Sequence, residues 1–86
     1  IEILDHCQVI KILTNGNHAI GLIAIDTSVM DDLAYVVIES PNIVLATGGP
    51  AGIYFDSVYP ECHTGSSGLA LEAGAEFVNL SEWQFG

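Results

Sequence analysis

Along the first half of the chain, apolar residues come in short runs separated by turn-forming ones. Residues 8–14 carry Val9, Ile10 and Ile12, β-branched side chains that suit a pleated surface. Asn15-Gly16-Asn17-His18 follows. Asn-Gly between two apolar runs is a strong hairpin signal, because both residues tolerate positive φ. Residues 19–25, with Ile20, Leu22, Ile23 and Ile25, supply the return strand. Residues 26–32 are polar and acidic and predict a longer loop. A third strand is expected over 34–39, stopped by Ser40-Pro41-Asn42, since proline fixes φ and cannot donate to a ladder. Residues 43–46 are wholly apolar, the pattern of a strand buried on both faces in a parallel sheet.

The second half changes character. Thr47-Gly48-Gly49-Pro50-Ala51-Gly52 is a glycine-rich turn directly after that apolar run. Residues 53–63 hold Tyr54, Phe55, Tyr59 and Pro60 and predict an irregular covering segment. Ser66 or Ser67 can cap a short helix running through Ala73, and Gly74 then supplies a left-handed stop. Residues 75–80 are expected to be extended. No internal repeat or low-complexity stretch breaks the pattern.

Charge narrows the function classes. Eleven acidic residues face a single basic one, Lys11, giving a formal net charge of −10. A nucleic-acid binder needs Lys and Arg to displace counterions, and an anionic membrane surface repels such a chain. With 50% hydrophobic residues the sequence is not that of a disordered protein. No apolar run approaches the roughly 18 residues of a membrane span, and no signal peptide is visible, so the expectation is a soluble, cytoplasmic chain. At 86 residues there is room for one small domain. A chain of this size buries only about 60–65% of its unfolded surface and is marginal alone. The first residue is Ile rather than Met. Together these predict a piece of a larger fold.

Candidate chemistry is sparse. Cys7 and Cys62 each adjoin a histidine, as His6-Cys7 and Cys62-His63. Adjacent residues are poor zinc ligands, because paired ligands are usually two to four apart, so buried or half-exposed thiols are the preferred reading. Asp26, Asp31 and Asp32 lack the spacing of a calcium loop and read as a solvated turn. His18 falls in the hairpin turn and Glu72 on the water-facing side of the short helix. The glycines fit no phosphate-binding fingerprint: position 50 is Pro where G-x-G-x-x-G needs Gly, and no Lys follows for a Walker A loop. Gly65 and Gly68 are too close for a nucleophile elbow. Gly48 and Gly49 therefore mark either a close approach of backbone to a ligand or a tight turn.

Three segments in order carry a resemblance. Asn42-Ile43-Val44-Leu45-Ala46-Thr47-Gly48-Gly49 resembles the late "hydrophobic strand, then ATGG" motif of flavoproteins with two dinucleotide-binding domains. Thr64-Gly65-Ser66-Ser67, Gly68 to Ala75, and Leu80-Ser81-Glu82-Trp83-Gln84-Phe85 resemble the stretch "TGDG…A..AGA…E…QF". That succession is similar to the succinate dehydrogenase/fumarate reductase flavoprotein family, which also includes aspartate oxidases and 3-ketosteroid dehydrogenases. The resemblance covers nearly the whole chain.

It implies an α/β (or α+β) fragment of an FAD-binding domain spanning residues 1–86. A β-meander over 8–39 would lead into the ATGG strand and loop at 43–52 and the TGxxG helix region at 64–75. It implies FAD as cofactor, with the backbone of Ala46, Thr47 and Gly48 against its adenosine and pyrophosphate, Gly49 adjacent, and Ser66 where the family has an acid. Glu82 and Gln84 match the "E…Q" signature. His63 could face the cofactor, while Trp83 and Phe85 read as core or interface. The family's N-terminal G-x-G-x-x-G, capping domain and substrate-binding His and Arg have no counterpart in these residues. With no Arg, the chain cannot clamp a dicarboxylate bidentately, so no catalytic residue is assigned. The expected partner is the remainder of a flavoprotein. The alternative from another class is a β-rich interaction module that self-associates.

Overall fold

The computed structural model describes residues 1–29 and 34–82. Asp31, Asp32, Trp83, Gln84 and Phe85, singled out above, lie outside the described residues. The chain divides into two compact units, Ile1–Ile43 and Val44–Gly86.

The first unit is a three-stranded antiparallel meander, β1 (Cys7–Asn15), β2 (His18–Asp26) and β3 (Ala34–Glu39), in the order β1-β2-β3. All three strands stand where the apolar runs predict them. The β1–β2 turn is Gly16-Asn17, with Gly16 at φ 63°. Only the glycine is left-handed, the pattern of a turn with glycine at its first central position, so Asn15 belongs to the strand rather than the turn. At the other end of the hairpin, the backbone N–H and the hydroxyl of Thr27 both donate to the His6 carbonyl, at 2.7 and 2.8 Å. Asp26 Oδ1 accepts from the Ser28 N–H at 2.9 Å and from the Ser28 hydroxyl, which starts the loop after β2.

Register sorts the side chains. Ile12, Leu22 and Ile38 lie side by side on one face, as do Val9, Ala24 and Val36. Lys11, Ile23 and Val37 lie on the other face, as do Gln8, Ile25 and Tyr35. Ala24, on the central strand, is 1% exposed and is the best buried apolar residue of this unit. In β1 the register shifts between Val9 and Lys11, leaving Ile10 as an extra residue in a bulge. Gly21 sits where a side chain could not: a Cβ there would run into the Ile38 carbonyl oxygen and stand 3.2 Å from Glu39 Cα.

Among its described residues, the second unit has one α-helix, α1 (Ser67–Glu72), and two short 3-10 turns, Ala51–Ile53 and Leu80–Glu82. Gly74, at φ 99°, ends α1 as its position predicts. Its N–H donates to Leu71 and that of Ala75 to Ala70, the paired bonds that close a helix on a left-handed residue. Ser66 does occupy the N-cap, but its own backbone is left-handed (φ 52°) and its side chain makes no cap bond. The residue that would have capped the helix is thus spent on turning the chain.

One expected strand is not formed. Residues 43–46 join no ladder, and Val44 is 88% exposed. A strand buried on both faces needs a partner on each side, and no described segment pairs with it. Residues 75–80, expected to be extended, form no regular element up to Asn79, whose φ is 54°, and Leu80 begins a 3-10 turn. The described residues combine a small antiparallel sheet with one short α-helix and 3-10 turns. Among the described residues, no helix is long and apolar enough to cross a membrane.

Candidate functional site

Within the second unit, the two glycine-containing loops singled out in the sequence meet. Thr47 Oγ1 donates to the Gly65 carbonyl at 2.7 Å, joining positions 18 residues apart. Gly65, at φ 70°, lies so close to the first loop that a Cβ would stand 3.2 Å from Gly48 O, Gly49 C and Pro50 N. This packing needs glycine twice over, for the left-handed backbone and for the missing side chain. Gly48 is also left-handed, at φ 77°. A Cβ on Gly48 or on Gly49 would meet nothing within 4 Å, so both present bare backbone on an open side. Ala46, Thr47, Gly48 and Gly49 are all exposed. Ser66 follows Gly65 directly, which brings the five candidate residues into one pair of neighbouring loops.

A second tie holds the segment between these loops. The Gly52 N–H donates to the His63 carbonyl at 2.7 Å. A Cβ on Gly52 would sit among the carbonyl oxygens of Pro60, Glu61 and His63, at 2.5, 2.9 and 2.8 Å. The 53–63 segment therefore leaves the glycine-rich turn and returns to it as an irregular loop, as its aromatics and Pro60 predict. His63 is exposed, with its ring 5.9 Å from that of Tyr59. A cleft of about 440 Å³, walled in part by Tyr54, Phe55 and Tyr59, opens beside Gly52. That volume is within the range of small-molecule pockets.

The donor set sets limits on what could bind. The second unit contains no Lys or Arg, so the donors it can itself offer an anion at these loops are backbone N–H groups, hydroxyls and His63. Gly48 and Gly49 fit a group that needs backbone access without side chains. Cys7 and Cys62 are free thiols in separate units. Among the described residues, no three His, Cys, Asp or Glu side chains gather as a metal site.

The sequence patterns pointed to the glycines at 48 and 49 but not to Gly52 or to the Thr47–Gly65 tie. Gly52 carried a usable signal, as the last glycine of a Gly-rich run before an aromatic loop. A hydroxyl-to-carbonyl bond across 18 positions leaves no local trace. Comparison with protein-family models, with curated proteins and with solved structures gives no match for this chain.

Proposed function

We propose that these residues are part of an FAD-dependent oxidoreductase like the succinate dehydrogenase/fumarate reductase flavoproteins. The observation that supports this most is the meeting of the two motif loops through Thr47 and Gly65. In the proposal, Ala46, Thr47, Gly48 and Gly49 give backbone access to the adenosine and pyrophosphate of FAD, and the Ser66 hydroxyl supplies a hydrogen bond nearby. When bound, the flavin supplies hydride transfer to or from a C–C bond beside an activating group. The role of these residues is to hold and orient it. Substrate recognition belongs to the remainder of the flavoprotein, since this sequence has no Arg to clamp a carboxylate. The cellular place consistent with the reading is the cytoplasm.

The proposal is tested on the full-length natural polypeptide carrying these residues. The purified protein is expected to show the visible absorption of oxidised flavin. Gly48→Val should abolish it, but that glycine is left-handed, so the variant also strains the backbone. Gly49→Val is the cleaner variant, because its side chain enters open space without a left-handed φ. It should lose flavin while keeping the circular dichroism of the parent. Flavin-free parent protein, or a Gly49→Val variant with unchanged flavin content, would overturn the assignment. The second reading, a non-catalytic module that self-associates, is favoured by the exposure of Tyr35 and Val37 on the sheet, at 59% and 60%.

A further inference from the structure

The outer edge of β3 is an open template with an internal two-fold match. The Ser40 N–H donates to the Ile20 carbonyl at 3.0 Å, which fixes which β3 residues bond inward to β2. Ser40, Ile38, Val36 and Ala34 turn their N–H and C=O toward β2, so by alternation Tyr35, Val37 and Glu39 turn theirs outward. Among the described residues, no strand pairs with that edge. The two edges of the sheet differ. β1 is interrupted by the bulge at Ile10 and carries Lys11, two devices that discourage further pairing. β3, Ala-Tyr-Val-Val-Ile-Glu, has no proline, no lysine and an unbroken register with β2.

We propose that β3 pairs antiparallel with β3 of a second copy of this chain, with the two-fold axis at Val37, making a continuous six-stranded sheet. This register matches every outward group. Val37 faces Val37 of the second copy, and each Tyr35 faces the other copy's Glu39, so three residue pairs exchange both of their backbone hydrogen bonds. Charge selects the same arrangement. A chain of net charge −10 repels its copy, yet the only charged residue of β3 is Glu39. Four residues of strand separate the two Glu39 positions, about 14 Å at 3.4 Å per residue. That exceeds the Debye length of about 8 Å at physiological ionic strength, so the two carboxylates are screened from each other. A parallel pairing would set them side by side.

The experiment is analytical ultracentrifugation of the full chain over a concentration series, with amide hydrogen exchange at both ends of the series. A concentration-dependent dimer is expected, with added protection at the amides of Tyr35, Val37 and Glu39. Tyr35→Glu puts like charges opposite each other at two pairs and should weaken the dimer about 10-fold. Tyr35→Lys, at the same exposed position, should keep it. Adding Glu39→Lys to Tyr35→Glu should restore it. A monomer at all concentrations would overturn the proposal. So would a dimer that Tyr35→Glu leaves unchanged, or one whose protection falls on other amides.

Discussion

Thr47 and Gly65 are tied by a hydroxyl-to-carbonyl hydrogen bond of 2.7 Å that joins two loops 18 residues apart. The bond lies in an exposed region, so water competes for both groups and its net worth is modest. Thr47→Val, which keeps the shape and removes the donor, should destabilise the second unit by about 0.5–1 kcal/mol. Thr47→Ser should behave like the parent. Urea unfolding measures both, and equal stability of the Val and Ser variants would show that the bond contributes nothing.

Gly21 is held against the β3 backbone so closely that any Cβ must displace the Ile38 carbonyl. Backbone in a ladder yields less readily than the end of a side chain. Gly21→Ala should therefore cost about 1–3 kcal/mol. Gly49→Ala, whose Cβ meets nothing within 4 Å, serves as the control and should change stability by less than about 0.5 kcal/mol. Thermal unfolding followed at the sheet would separate the two; similar effects at both positions would contradict the close approach.

Acid should open the turn after β2. The hydroxyl of Ser28, and then its backbone N–H, hold the Asp26 carboxyl below its ordinary value of 3.8. A carboxylate with a lowered folded value adds stability above the unfolded value, and that contribution is lost as pH falls through the folded value. The Ser28 amide resonance, followed by NMR from neutral pH downward, should titrate with a midpoint below 3.8. A midpoint at or above that value would mean that the turn does not hold the carboxylate in solution.

The meander was legible because its signals are local. Val, Ile and turn residues alternate within a few positions of one another, and β3 begins and ends where proline and polar residues bound it. Gly74 was legible for the same reason, since a helix stop depends only on the residue's own φ. The strand over 43–46 was not, because apolar content says that a segment prefers burial but not whether a partner strand is present. Ser66 shows a similar limit. A serine before a helix can cap it or turn the chain, and the neighbouring Gly65 packing against the first loop decides for the turn. At the candidate site, the identity of the glycines was readable, while the bond that joins their loops depends on folding and was not.

The bulge at Ile10 has a consequence for assembly size. A sheet with two equivalent open edges can add copies from both sides and lengthen into a fibre. Here the extra residue at Ile10, with Lys11 beside it, discourages pairing at one margin, and the proposed two-fold pairing would use the outward groups of Tyr35, Val37 and Glu39 at the other. On that proposal, growth would favour two chains over a longer array. Deleting Ile10 would remove one of the two register shifts between β1 and β2 and leave the other, between Leu13 and Thr14, so that margin would become a better template for a further copy.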